Sequence, residues 1–346
     1  MKLKLENVAI RHINATVPSN SVDNFSLDFE EELVKKIIKN AGVKERRYVA
    51  EGETLLDLCI PSANETLQRL GWDIDSIDGI IVVSQSHEYK LPATACVLHG
   101  KLEFKQDAFA YDVAMGCSGY IYGLFEASSI ICASRGSIKR VLIFVGDTST
   151  LYSNPKNRST AFLFGDAVSC TALEYDPDSP VSYFSLKSDG KGYSHIIVEH
   201  GGFRHPIDET SYVDFTDKEG NITNKASLYL NGLEVFNFTI AQVPPLIDDL
   251  VEISGVEKDK FEVFCLHQAN KFIVDYLAKK MKIKNKTPLN LDKYGNTSSA
   301  SIPLLIADRQ NECLVKYAVL SGFGVGWSMA ACLVNLEQTT ASLLEI

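Results

Sequence analysis

Short runs of apolar residues alternate along this chain with longer stretches in which apolar residues recur at helical spacing. Three of these runs are typical of strands buried on both faces: 79–84, 108–114 and 140–146. Helical patterns lie at 55–70, at 94–102 and from Cys117 to about residue 133. This alternation predicts parallel or mixed sheets that are covered by helices.

The second half of the chain follows a similar order of elements. Helices are predicted at 230–252, 270–281 and 299–310, and strands at 262–266, 315–320 and 328–336, the last two closing the fold. The segment 176–180 is a turn-rich link with two prolines. We therefore expect an N-terminal half, 1–176, and a C-terminal half, 177–346.

Composition and charge narrow the functional classes. The chain has 346 residues, of which 45% are hydrophobic and 23% charged, as expected for a globular protein with a large core. Its net charge of −10 argues against a nucleic-acid partner, because phosphate binding needs a basic surface.

Location and metal content are also predicted from the sequence. The N-terminus lacks the features of a signal peptide, and the apolar stretch 119–133 is too short to span a membrane, so we expect a buried helix there. The eight cysteines are scattered singly without a CxxC pair. We therefore expect no metal site and a cytoplasmic protein with reduced thiols.

Cys117 is the first candidate for chemistry. It lies where an apolar run gives way to small residues and then to a helical pattern. A thiol beside the N-terminus of a helix is close to unpaired N–H groups and to the positive end of the helix dipole. We therefore expect a lowered pKa for Cys117 and a nucleophilic role.

Two polar residues and a glycine-rich turn are weaker candidates when each is considered alone. His267 follows a buried strand, where a histidine is more often structural than catalytic. Asn296 precedes Thr and Ser before a helix, a pattern more typical of an N-cap. The segment 322–328 could be a tight turn or a phosphate-binding loop, although it lacks the spacing of either common phosphate motif.

Taken together, these segments carry a resemblance. The chain resembles the β-ketoacyl-acyl-carrier-protein synthase III family, condensing enzymes of the thiolase superfamily. The landmarks of this resemblance extend over nearly the whole chain: 41–46, 112–117, 164–166, 231–232 with 234–236, 267–270, 295–298 and 322–324.

The resemblance implies a five-layer αβαβα fold of two similar halves, usually as a homodimer. It assigns Cys117, His267 and Asn296 as the catalytic triad, and it implies that backbone N–H groups of Cys117 and Val325 form the oxyanion hole. Cys117 would take an acyl primer from an acyl-CoA or acyl-acyl carrier protein. His267 and Asn296 would stabilise the oxygen of a decarboxylating malonyl-acyl carrier protein. No cofactor is implied.

Some positions depart from the family pattern. The family holds the adenine of coenzyme A between a Trp and an Arg, whose positions fall on Lys36 and Arg158. A family Asn near the pantetheine arm falls on Leu233. Weaker recognition of coenzyme A follows, which favours a primer from a carrier protein, or coenzyme A held differently, and a specialised pathway.

Two further departures concern the acyl group. Val325 stands where the family usually has Gly, so its side chain could narrow the site. Leu91 matches a position that reaches across the dimer and limits acyl length, and Leu permits a longer primer than the Phe often found there. The polar, acidic segment 201–224 is a surface loop or a lid over a substrate entrance.

The segment 271–286 contains six Lys and one Asp. Such a run is more often a solvated surface than a binding site. The resemblance, however, implies that Lys279 and Lys280 bind the acidic acyl carrier protein, with Lys271 beside the position of a family Arg at Phe272.

Other functions remain open. An acyltransferase on the same fold would pass the Cys117 acyl group to a hydroxyl or an amine without decarboxylation. A thiolase would need a second Cys near 322–328, whereas Cys313 and Cys332 fall in apparent strands. A hydroxymethylglutaryl-type synthase would need a Glu in the loop after Val83, where Glu88 is a loose match. A catalytically inactive partner subunit is a more remote possibility.

Overall fold

The computed structural model describes all residues, 1–346, in seventeen strands and nine α-helices. The strands are β1 Lys2–Leu5, β2 Val8–Val17, β3 Ser21–Asp23, β4 Glu45–Arg47, β5 Gly79–Val83, β6 Phe109–Val113, β7 Arg140–Asp147, β8 Ala167–Tyr175, β9 Ser182–Ser188, β10 Ile196–Ile197, β11 Phe215–Thr216, β12 Ile222–Thr223, β13 Tyr229–Leu230, β14 Val263–Leu266, β15 Ala318–Gly324, β16 Ser328–Val334 and β17 Thr340–Glu345. The helices are α1 Glu31–Ala41, α2 Leu55–Leu70, α3 Thr94–Lys101, α4 Gly119–Ser134, α5 Gly232–Ser254, α6 Lys271–Lys280, α7 Leu291–Tyr294, α8 Ser301–Asp308 and α9 Gln310–Cys313.

Two sheets form the frame of the molecule. A six-stranded sheet has the order β17-β2-β8-β7-β5-β6, and a five-stranded sheet has the order β1-β9-β16-β15-β14. Helices α4 and α8 contact both sheets, whereas α2 and α3 cover the first sheet and α5 and α6 cover the second. The predicted five-layer αβαβα fold is therefore confirmed.

Each half supplies one terminal strand to the sheet of the other. Strand β1 pairs with β9 in the five-stranded sheet, and β17 pairs with β2 in the six-stranded sheet. The prediction that 328–336 closes the fold is wrong, because β17 follows it. This last strand is mostly exposed or half-buried and buries only Ser342, so it lacks the apolar signal of a central strand.

Other predicted elements differ in detail. Strand β6 is half-buried along its whole length because it lies at the sheet edge, so the expectation of burial on both faces is wrong. The strand predicted at 315–320 is shifted to Ala318–Gly324 and continues through two glycines. Cys313 ends α9 and does not lie in a strand.

Local chemistry explains the helix boundaries that were predicted well. Helix α2 spans the predicted residues because Thr54 and Asp57 form a capping box at its start. Gly71 ends the helix in the left-handed conformation, with φ of 61°.

Helix α4 is the buried helix expected after Cys117. An ideal Cβ on Gly119 would lie 2.7 Å from Cγ1 of Val83, so the missing side chain lets the helix pack closely on β5. None of the helices combines the length and the apolar character that crossing a membrane requires.

Strand β15 passes directly against the backbone at Cys117. An ideal Cβ on Gly322 would lie 2.7 Å from the carbonyl oxygen of Cys117 and from Cα of Ser118. An ideal Cβ on Gly324 would lie 2.9 Å from Sγ of Cys117. Glycine at both positions is therefore required for the two halves to meet at this cysteine.

The contact at Gly322 predicts a stability difference between two glycine substitutions. Gly322→Ala should lower the free energy of unfolding by about 1–3 kcal/mol, because backbone atoms must move to admit the methyl group. Gly100→Ala is the control, since its ideal Cβ meets no atom within 4 Å and it lies in α3. There, alanine should leave stability unchanged or raise it by up to about 1 kcal/mol. Equal stability of the two variants in chemical denaturation would contradict the packing argument.

Candidate active site

The site forms where strands of both sheets end. Strands β5, β6 and β7 are parallel, so their carboxyl ends lie at one edge, and Cys117 follows β6. Strands β14 and β15 are parallel as well, with His267 following β14 and Val325 following β15. Ligand sites in α/β proteins commonly lie at the carboxyl ends of parallel strands.

One cavity of about 680 Å³, counting the open space at its mouth, contains four of the predicted residues. These are Cys117, His267, Asn296 and Val325. Apolar side chains form most of the remaining wall: Leu163, Phe164, Ile196, Leu228, Leu230, Val235, Ile273 and Phe323. A narrow apolar cavity with a few convergent polar groups suits a thioester and its acyl chain.

The protonation of Cys117 differs from the expectation. Cys117 is half-buried, since one side of it borders the cavity. Desolvation by the surrounding protein raises the pKa of its thiol to about 11, although N–H groups of Val325 and of Cys117 itself and the hydroxyl of Ser298 act in the opposite direction. The cysteine precedes Ser118, the N-cap of α4. The expected lowering of the pKa is therefore wrong, because the loss of solvation outweighs the helix dipole and the donors.

His267 is buried and neutral. Burial lowers the pKa of His267 to about 3. Its Nδ1 lies 2.6 Å from Oγ of Ser301, and its ring meets the edge of the Phe323 ring at a centroid distance of 5.5 Å. When the Ser301 hydroxyl donates to Nδ1, the ring proton lies on Nε2, which can then donate to a ligand.

Asn296 is held in one orientation by its neighbours. Its Oδ1 accepts the N–H of Ser298 at 2.9 Å, which identifies the other atom as Nδ2. That nitrogen donates weakly to the carbonyl of Ala269 at 3.4 Å. The oxygen of the Asn296 side chain therefore caps the following turn, as an N-cap would, while its nitrogen keeps a second N–H for a ligand in the cavity.

The three residues predicted to contact coenzyme A or the acyl group lie outside the cavity. Lys36 is exposed on α1, and Leu91 is 79% exposed. Arg158 donates to Oδ1 of Asn221 at 2.9 Å and to the carbonyl oxygen of Glu219. The guanidinium thus holds part of the 201–224 segment.

The segment 201–224 is mostly exposed and contains the small hairpin of β11 and β12. It borders a second, wide cavity of about 1940 Å³. The strands β10 and β13 that flank it are paired, and they place Ile196 and Leu230 in the wall of the Cys117 cavity.

The three predicted docking lysines lie on α6. Lys271 forms an ion pair with Asp275. Lys280 donates to the carbonyl oxygen of Ile240 at 2.6 Å, a group that Pro244 leaves without its helical donor. Lys279 is exposed and has no ion-pair partner.

The thiolase and hydroxymethylglutaryl-type alternatives lack their residues in the cavity. Cys117 is the only cysteine that lines it, since Cys332 lies in β16 and Cys313 in α9. The carboxylate of Glu88 accepts the N–H of Leu56 at 3.1 Å and does not line the cavity.

Sequence reasoning missed Ser298 and Asp147. Ser298 lines the cavity with Cys117 and belongs to the family landmark at 295–298. Asp147 is fully buried at the end of β7. A charged residue at the carboxyl end of a buried parallel strand was the available signal.

Comparisons with known proteins agree with this geometry. Residues 111–190 match the family model described as 3-oxoacyl-[acyl-carrier-protein (ACP)] synthase III. Residues 251–336 match the model for the C-terminal part of the same enzyme.

Individual relatives cover nearly the whole chain. A β-ketoacyl-[acyl-carrier-protein] synthase III from Clostridium perfringens (strain SM101 / Type A) is 30% identical over 338 residues, with 96% of this chain and 100% of the relative covered. The enzyme of the same name from Lactococcus lactis subsp. cremoris (strain SK11) is 30% identical, with 92% and 96% covered.

A solved structure gives the same assignment. The 3-oxoacyl-(acyl-carrier protein) synthase from Burkholderia xenovorans LB400 superposes with a TM-score of 0.93 at 37% identity, over 100% of this chain and 99% of the other. The chain belongs to the β-ketoacyl-[acyl-carrier-protein] synthase III family of condensing acyltransferases.

Proposed function

We propose that this chain catalyses the decarboxylating condensation of an acyl primer, held on Cys117, with malonyl-acyl carrier protein to give a 3-oxoacyl-acyl carrier protein. The observation that carries the proposal is the convergence of Cys117, His267 and Asn296 on one apolar cavity. The experiment that tests it follows the mass of Cys117 and the release of CO₂ with acyl and malonyl donors.

Acylation comes first. The sulfur of Cys117 attacks the thioester carbonyl, and the carrier thiol leaves. Val325 lines the cavity with Cys117, and the backbone N–H groups of Cys117 and Val325 lower the pKa of the thiol. These two donors form the proposed oxyanion hole for the acyl carbonyl.

Decarboxylation and carbon–carbon bond formation follow. Loss of CO₂ from the malonyl unit leaves negative charge on its thioester oxygen. The neutral ring of His267 and the amide N–H of Asn296 donate hydrogen bonds to this oxygen. Neither residue takes a proton. The carbanion then attacks the acyl group on Cys117, and the thiolate of Cys117 leaves and takes a proton from solvent to restore the resting thiol.

Residues outside the cavity bear on which molecule donates the acyl primer. The proposed coenzyme A contacts, Lys36 and Arg158, lie outside the cavity, and Arg158 already binds Asn221 and Glu219. Leu233 is 67% exposed and offers no amide to a pantetheine arm. These features favour an acyl carrier protein as the primer donor, or coenzyme A held differently, in a specialised pathway.

Assembly as a homodimer in the cytoplasm completes the proposal. Strand β6 has no partner on its outer edge, and an edge strand can pair with a second copy. The exposed Leu91 is then available to limit the acyl pocket of the partner. All eight cysteines are free, as in a reducing compartment.

Removing either donor to the malonyl oxygen should separate the two half-reactions. His267→Ala and Asn296→Ala should reduce condensation by about 10²–10³-fold, the typical effect of losing an oxyanion donor. Intact-mass measurement should still show an acyl group on Cys117 in both variants. Cys117→Ala is the control that accepts no acyl group.

An equal loss of acylation in both variants would contradict this division of roles. Acyl transfer to a hydroxyl or an amine without CO₂ release would support the acyltransferase alternative.

The neutral state of His267 predicts a pH dependence. With a pKa of about 3, the ring should not gain a proton between pH 8 and pH 5.5. A histidine with an ordinary pKa of about 6.5 would be mostly protonated at the lower value. Ring ¹⁵N NMR of labelled enzyme measures this, and His267→Gln identifies the signal. A midpoint near pH 6.5 for that signal would contradict a neutral donor.

The carrier-protein surface can be tested at Lys279. Lys279→Glu should raise the KM for malonyl-acyl carrier protein several-fold, with the effect fading at high salt. Lys280 is a less clean test because its change also removes the donor to Ile240. Lys101→Glu on α3, in the opposite outer layer, is the matched control. An unchanged KM for Lys279→Glu at low salt would remove the docking proposal.

A further inference from the structure

A buried carboxylate lies behind Cys117 with one oxygen unpaired. Oδ1 of Asp147 accepts the Ser84 hydroxyl at 3.0 Å, the N–H of Gln85 at 2.7 Å and the Ser86 hydroxyl at 3.3 Å. Oδ2 has no hydrogen-bond partner, although the side chain is fully buried. A buried polar atom without a partner is costly and calls for an explanation.

Ser298 borders both the cavity and the strand that carries this carboxylate. It lines the cavity with Cys117, and the turn that it begins, Ser298–Ala300, packs against β7, whose last residue is Asp147. The Ser298 hydroxyl also lowers the pKa of both the Cys117 thiol and the Asp147 carboxyl. Ser298 also has φ of 51°, in the left-handed region that a serine seldom adopts. Such strain is found where the surroundings fix a functional geometry. Asn296 helps to fix it by accepting the Ser298 N–H.

Cys117 needs a proton acceptor, and His267 is poorly suited to that role. Protonation of His267 by the thiol would create two opposite charges in an apolar cavity, at a ring whose pKa is about 3. Transfer to an ionised Asp147 instead moves one negative charge from the carboxylate to the sulfur and creates none.

We propose that Asp147 accepts the Cys117 proton through the Ser298 hydroxyl when the thiol attacks the acyl thioester. As the bond between Sγ and the acyl carbon forms, the thiol proton passes to Oγ of Ser298, and the Ser298 proton passes to Oδ2 of Asp147. As the bond between the acyl carbon and the carrier sulfur breaks, the leaving thiolate recovers a proton by the reverse route. The step needs no other reactant, and it rests on the proposed acylation of Cys117.

Other titratable groups surround Asp147. Asp166, Tyr152, His87 and Cys117 all interact electrostatically with it. Burial raises the pKa of Asp147. Because the acceptor must be ionised, acylation should decline as the pH falls through this raised pKa and stay level above it.

Asp147→Asn tests the proposal, because the amide keeps an oxygen for Ser84, Gln85 and Ser86 and removes the proton acceptor. Rapid-quench intact mass would follow acylation of Cys117 by acetyl, butanoyl and octanoyl thioesters of N-acetylcysteamine between pH 6 and pH 10. The variant should be slower by about 10²-fold or more at pH 7.5. Its rate should then rise about tenfold per pH unit, because the thiolate must form by proton loss to water.

A purely electrostatic or structural role gives a different result. The Asp147 charge raises the pKa of Cys117, so without proton transfer Asp147→Asn should acylate as fast as the wild type or faster. That outcome would overturn the proposal. Asp166→Asn is the matched control, since Asp166 is equally buried but bonds Thr150 and Val49. Its pH slope should match that of the wild type.

Ser298→Gly provides a second variant if Asp147→Asn fails to fold. Glycine removes the hydroxyl, relieves the backbone strain and keeps the N–H to Asn296. It should show the same slow, pH-dependent acylation, and a wild-type profile would overturn the relay. No mass increase on wild-type Cys117 with any donor would instead overturn the proposed function, and this inference with it.

Discussion

The close approach of β15 to the backbone of Cys117 is the contact on which the site depends. Gly322 and Gly324 have no side chains to separate the strand from Cys117 and Ser118. The carboxyl edges of the two sheets can therefore meet, although they belong to different halves of the chain. Without this approach, Val325 and His267 would not line one cavity with Cys117.

Exclusion of solvent at this junction determines the protonation states of the site residues. Cys117 is a neutral thiol and His267 a neutral ring, because the cavity disfavours both charged forms. In the proposed mechanism, fixed donors therefore stabilise charge as it develops, and no resting ion pair is needed. In the same low-polarity surroundings, the unpaired oxygen of Asp147 suits the proposed proton transfer. A single negative charge then moves from the carboxylate to the sulfur, and no pair of opposite charges is created.

The sequence predicted the layered fold and the residues that converge, for identifiable reasons. Helix α2 carries its own start and stop signals, and β5 and β7 are apolar on both faces. Strand β17 was missed because it buries only Ser342, and its pairing with β2 is a contact across nearly the full chain length. The expected lowering of the Cys117 pKa was wrong because the sequence shows the helix dipole but not how far the folded protein excludes solvent from the thiol. Asp147 escaped notice because its unpaired oxygen is a property of the packed structure alone.

The departures from the family pattern divide by location. Lys36, Leu91 and Leu233 are exposed, where substitution costs little stability and changes what the surface binds. Val325 is the departure inside the cavity, where its side chain must fit against Gly116. An ideal Cβ on Gly116 would lie 2.6 Å from Cγ1 of Val325 and 2.4 Å from Oε1 of Gln85. The Val325 side chain thus fits because Gly116 has no side chain. A larger residue at position 116 would therefore require a smaller residue at position 325.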